Sequence, residues 1–123
     1  MKEVKRILWV SKHTPLPKQV EELKRIFGDI QLSQYAGFVK DVNHLMELVK
    51  VFNADEVVVV LPLTILYNLI KKTGLKPIIA EMEEVSGEQY DYIDEGSGRK
   101  YKFKGFARLM DIIFVKEPLG DEK

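Results

Sequence analysis

The sequence predicts an α/β fold: a largely parallel sheet sandwiched between helices, with an antiparallel appendage toward its C-terminal end. Three observations carry this. Four short apolar runs rich in β-formers alternate with three segments of helical period, the spacing of successive βαβ units. One of those runs, Val57 to Val60, is four consecutive valines, as expected of a strand with both faces covered. Beyond the fourth run, "YDYIDEGSGRKYKFKGF" (90–106) alternates around Gly-Ser-Gly, the sign of a β-hairpin.

Taken in order, residues 5–11 ("KRILWVS") suit a buried first strand. The period then changes. Val20, Leu23, Ile26 and Phe27 fall on one helix face within 15–27. Thr14 is placed to cap that helix, with Pro15 at its first position and Gly28 closing it. "DIQLSQY" (29–35) alternates weakly and reads as an edge strand. Asp41 can cap a second helix that turns Val42, Leu45, Met46, Val49 and Phe52 inward. "DEVVVVLP" (55–62) is the third strand, and a third helix near 63–73 ends at Gly74 with Pro77 soon after. "KPIIAEMEEV" (76–85) is the fourth strand. Right-handed crossovers and a weak second strand give the order 2-1-3-4, a Rossmann-like doubly wound sandwich.

The hairpin lies near 88–106. A two-residue loop at 96–97 or 97–98 lays Tyr90 and Tyr92 on one face with Tyr101 and Phe103, a better pairing than a three-residue loop allows. Its second strand is expected to run on through 106–115 and return antiparallel beside the fourth strand, leaving 117–123 as a solvated tail. Neither a repeat nor a linker is visible, so residues 1–123 read as a single domain.

Composition excludes several functions. The chain has 123 residues, 46% of them hydrophobic, enough for a core without a metal or disulfide staple. With no cysteine, disulfides, thiolate zinc sites and cysteine nucleophiles are excluded, and His13 and His44 stand in no ligand spacing, so no metal site is expected. No cofactor is expected either. A P-loop pattern is missing, and the turn after the first strand has no glycine for a dinucleotide phosphate. Nineteen basic and nineteen acidic residues balance, favouring neither nucleic acid nor an anionic membrane. The basic run 99–108 is interleaved with aromatics, yet the hairpin sets it against the carboxylates of 81–95. DNA or RNA binding is therefore not expected, and the stretch reads as a charge-laced sheet face. Neither a membrane-length apolar run nor a signal-peptide core is present, which points to a soluble cytoplasmic protein. Abundant Lys and Glu with few Asn and Gln resemble thermophile composition.

Open α/β sheets bind ligands beyond the carboxyl ends of their strands, where strand order reverses. For order 2-1-3-4 that crevice lies between the loop after strand one and the loop after strand three. The expected ligand contacts are Ser11, Lys12, His13, Thr14 and Thr64. Pro15 and Pro17 lack N–H donors, so an anion there would depend on Lys12 and His13. Glu81 and Glu83 stand near the end of strand four, where one of them could act as a base.

Three readings follow. The first is a ligand-binding or regulatory module for a polar or nucleotide-like molecule. The architecture resembles, at fold level alone and with no shared motif, the ligand-sensing Rossmann-like domains of CRISPR-associated regulators. The second is a small hydrolase or nuclease with His13 or Glu81 in acid–base work and Lys12 as electrostatic stabiliser. The third is an interaction protein that docks through its hairpin. Tyr90, Tyr92, Tyr101, Phe103 and Phe106 crowd one hairpin face, and a homodimer through that face is expected.

Overall fold

The structure, a computed structural model, describes residues 3–120. Alternating apolar period produces β1 (Lys5–Val10), α1 (Pro17–Phe27), β2 (Ile30–Tyr35), α2 (Val42–Val51), β3 (Glu56–Val59), α3 (Leu63–Thr73) and β4 (Ile78–Val85), followed by β5 (Tyr92–Ile93) and β6 (Lys100–Arg108). These strands form one six-stranded sheet in the order β2-β1-β3-β4-β6-β5. The pairs joining β2, β1, β3 and β4 are parallel; β4–β6 and β6–β5 are antiparallel. The order 2-1-3-4 expected for the parallel strands is the order observed.

Side-chain alternation along the central strands divides the core into two layers. Ile7 and Trp9 of β1 pack with Val58, Ile78 and Leu23 of α1. Leu8 and Val10 turn the other way, to Val57, Val59, Leu45 of α2, and Leu66 and Leu69 of α3. Helices thus cover both faces of β1 and β3, which is why both strands read as continuous apolar runs. Each fully buried aliphatic side chain contributes about 1.5–3 kcal/mol, so the central strands anchor the molecule. Among the described residues no helix is long and apolar enough to cross a membrane.

Three local expectations are corrected. α1 starts at Pro17, not Pro15, and Leu16 is its cap residue. Thr14 therefore caps nothing. The cause is the second proline: the residue before a proline is pushed out of helical geometry, and Leu16 accordingly sits at φ −70°, ψ 151°. The Leu16 N–H donates to Gln19 Oε1 at 2.8 Å, half of a capping box made by a side chain inside the helix. Asp41, by contrast, caps α2 as its position implied, accepting the His44 N–H at 2.9 Å.

The second correction concerns 106–115. β6 stops at Arg108. Leu109 N–H still reaches the Pro77 carbonyl at 2.8 Å, but Pro77 has no N–H to return, and the ladder ends there. The chain leaves the sheet and crosses α3. Leu109 and Ile112 pack on the α2/α3 layer, Asp111 pairs with Lys71 at 2.8 Å, and the Phe114 ring lies 5.0 Å from Tyr67. Of the expected tail 117–123, residues 121–123 lie outside the described residues.

The third concerns the hairpin. Tyr92 opposes Tyr101, the register expected of a turn centred on 96–97, but the loop holds the four residues Glu95 to Gly98. Asp94 explains the longer loop: its carboxylate accepts the Gly96 N–H at 3.0 Å and the Ser97 hydroxyl at 3.1 Å. Tyr90 does not join the aromatic face. β5 begins only at Tyr92, and the Tyr90 ring lies under the Lys100 ammonium at 5.2 Å. The hairpin's second strand, β6, returns antiparallel beside β4 as expected, with Phe106, Ala107 and Arg108 opposite Ala80, Ile79 and Ile78; only 109–115 fails to join it.

A β-bulge completes the arrangement. Glu81 pairs with Gly105 but Met82 pairs with Phe103, so Lys104 is the extra residue. Phe103 and Phe106, three apart, would otherwise face opposite sides. With the bulge both partner strand positions on the α1 side, Met82 and Ala80, and their rings meet at 4.9 Å.

Candidate functional site

β1 leaves the sheet at Val10, and the next residues form a tightly bonded loop. Ser11 Oγ accepts the His13 N–H at 3.1 Å, and the Gln34 side-chain amide donates to the Ser11 carbonyl at 3.0 Å. The His13 carbonyl accepts the Trp9 indole N–H at 3.0 Å. That last bond fixes the indole plane, which also meets Phe106 edge-on at 6.1 Å. Trp9 is thus held by the loop on one side and by β6 on the other.

Beside it lies a cavity of about 250 Å³. Trp9, Val60, Ala80 and Met82 form its floor from the sheet, Leu16 and Gln19 enter from α1, and Tyr92 and Tyr101 close it from the hairpin. Ser11, His13 and Thr14 edge it. Most of the lining is apolar, and three of the walls are aromatic rings. Gln19 is the buried exception: the residue is polar and only 5% exposed.

Across Ser11, His13 and Val60, which line both spaces, lies a crevice of about 400 Å³. It runs between the loops after β1, β2 and β3 and is lined by Lys12, the stretch Gly37–Lys40, Leu61, Pro62 and Ile65. This is the reversal point of strand order, with β1 flanked by β2 and β3. Lys12 and Lys40 are exposed there, and neither has an ion-pair partner among the described residues.

The electrostatics at the rim favour hydrogen bonding. The Tyr92 hydroxyl lies 3.1 Å from His13 Nδ1 and 3.3 Å from Nε2, with the rings 5.0 Å apart and steeply inclined. Burial first, then the nearby carboxylates of Asp94 and Glu95, pushes the Tyr92 phenol above its ordinary value, so it remains a protonated donor at neutral pH. Asp91 anchors the same hairpin end. Its carboxylate accepts the Phe103 N–H at 2.9 Å and pairs with Lys18 of α1 at 3.1 Å.

Of the ligand contacts expected from sequence, Ser11, His13 and Thr14 edge the cavity, and Ser11, Lys12 and His13 line the crevice. Thr64 lines neither space, although Pro62 and Ile65 on either side of it line the crevice. Glu81 is exposed, and strand alternation sets it opposite to Ala80 and Met82, away from the cavity. Glu83 shares that outer face and pairs with Lys104 at 3.1 Å. Tyr92 and Tyr101 of the expected hairpin interface are cavity walls, while Phe103 meets Phe106 edge-on and Phe106 in turn meets Trp9.

Sequence reasoning missed Trp9, Gln19, Met82 and the stretch Gly37–Lys40. Gln19 carried a signal. It stands at i+3 from Leu16 and i−4 from Leu23, so it is a polar residue on the inner stripe of α1. Among the described residues no group of three His, Asp or Glu side chains is placed to hold a metal ion. Compared with known family models, curated proteins and solved structures, the chain matches none.

Proposed function

We propose that this is a Rossmann-like ligand-binding module that takes a small polar or nucleotide-like molecule at the carboxyl ends of β1 and β3, beside the middle of β4. One observation carries the reading: an aromatic-walled cavity and a lysine-bearing crevice share the Ser11–His13 loop as their common wall. A molecule with a flat apolar part and a charged or polar part matches that division. Together the two spaces reach the ~300–1,000 Å³ of ordinary small-molecule sites. Ammonium groups at Lys12 and Lys40, without an ion-pair partner among the described residues, favour an anionic end.

Trp9, the single tryptophan, is a built-in reporter because its indole forms part of the cavity wall. Titrating adenosine and adenosine 5′-monophosphate while following the Trp9 Nε1–H resonance tests the reading. Binding of both is expected, with Lys12→Ala weakening the monophosphate and sparing the nucleoside. If neither compound moves the resonance at millimolar concentration, a nucleotide-like ligand is ruled out. The acid–base alternative now rests on His13, whose ring meets the Tyr92 hydroxyl at the cavity rim, since Glu81 faces away.

A further inference from the structure

We infer that Gln19 sets the specificity of the cavity, and that the group admitted is a planar heteroaromatic ring carrying a hydrogen-bond acceptor on its buried edge. This rests on reading the cavity as a ligand site, and deepens it. Gln19 is the one buried polar side chain among the described residues, at 5% exposure. Its orientation is not free. The Leu16 N–H can only donate, so it selects Oε1 as its partner at 2.8 Å and turns Nε2 the other way.

There Nε2 meets Met82 Sδ at 3.8 Å. A thioether is a weak acceptor, and a carboxamide nitrogen carries two N–H donors. Capping α1 therefore uses the oxygen alone, while the nitrogen, between two residues that line the cavity, has the Met82 thioether as its hydrogen-bond partner. Buried donors normally find good acceptors, and an apolar cavity that holds such a donor is complementary to a ligand bringing one. Trp9, Tyr92 and Tyr101 supply ring faces and edges around it, which suits a flat ring stacked in a confined space of about 250 Å³. Donor-edged rings would set N–H against N–H and are disfavoured.

Indole and benzimidazole separate these statements, because they share shape and a ring N–H and differ by one ring-nitrogen acceptor. Each is titrated into the full chain in slightly alkaline buffer, with the Trp9 Nε1–H and Gln19 side-chain amide resonances followed by NMR. Benzimidazole is expected to bind about three- to tenfold more tightly, the range of one net hydrogen bond. Gln19→Leu should bring benzimidazole down to the level of indole and leave indole unchanged. Gln19→Glu keeps an acceptor for Leu16 N–H, so α1 still starts correctly, and should lose the same preference. Met82→Leu, which removes only the sulfur, should keep it. Equal affinities in the unaltered chain, or a preference that survives both Gln19 variants, overturn the role of Gln19 and leave the cavity as a ligand site. If neither ring binds, the cavity reading itself falls.

Discussion

Two residues five apart in the sequence, Thr14 and Gln19, exchange roles in the structure. Thr-Pro looks like a cap followed by a first helical residue, and Thr14 has both the hydroxyl and the position. The second proline defeats it by holding Leu16 extended, and the cap is supplied by Gln19 from within the helix. Gln19→Ala is accordingly expected to cost about 0.5–2 kcal/mol of stability, whereas Thr14→Ala, at an exposed loop position, leaves the thermal melt unchanged. The reverse ranking would return the helix start to Pro15. Asp91 carries a pH dependence at the same scale. The Phe103 N–H chiefly, with the Lys18 ammonium, holds its carboxyl below the ordinary range against the opposing effect of burial. A depressed folded value means that the stabilisation is complete above the unfolded value, ~3.9. It is lost as pH falls from there through the folded value. Melting temperature measured down the acid limb should fall less steeply in Asp91→Asn than in the unaltered chain, and parallel curves would show that Asp91 is not linked to folding.

At the scale of elements, most of the architecture was legible. Val57–Val60 announced a strand covered on both faces, Asp41 announced α2, and Gly74 with Pro77 announced the end of α3. What escaped notice depends on contacts between distant segments. Pro77 ends a ladder whose other side is Leu109, and no local pattern in 106–115 reveals that pairing. The bulge is similar. Lys104 and Gly105 look like ordinary strand residues until Met82 is known to oppose Phe103 and Glu81 to oppose Gly105. Gly105 sits at φ 144°, and a Cβ added there would meet nothing within 4 Å. The penalty for a side chain is therefore conformational and not steric crowding from neighbours. Gly105→Ala is expected to cost about 1–3 kcal/mol and to disturb the contact of Phe103 with Phe106, and through Phe106 that of Trp9. Urea unfolding and the Trp9 Nε1–H resonance read the two effects separately. Unaltered stability with an unmoved resonance would show that the bulge tolerates any residue.

The whole molecule raises the question of a second copy. A hairpin with an aromatic face, and little chain left to cover it, predicts a homodimer through that face. Within the chain, however, β6 pairs along β4, Tyr92 and Tyr101 wall the cavity, and Phe103 packs on Phe106, which reaches Trp9. A run of exposed apolar side chains lies elsewhere, on the extended segment after β6. Met110, Ile113, Phe114, Val115 and Leu119 are all exposed, Val115 at 96% and Leu119 at 84%. Contacts of Asp111 with Lys71 and of Phe114 with Tyr67 lay this segment against α3. Exposed apolar side chains clustered along one segment favour association, and a symmetric pair is the commonest closed arrangement. A net charge of zero removes the repulsion that would keep identical copies apart at neutral pH. The homodimer expected from sequence is thus best sought across α3 and residues 109–119. Sedimentation equilibrium should give twice the chain mass for the unaltered protein and the single mass for Phe114→Glu combined with Val115→Glu. Tyr92→Glu combined with Phe103→Glu should instead lower the melting temperature and leave the mass doubled. A monomer at every concentration would end the idea of self-association, and a dimer broken by the hairpin pair alone would return the interface to β5 and β6.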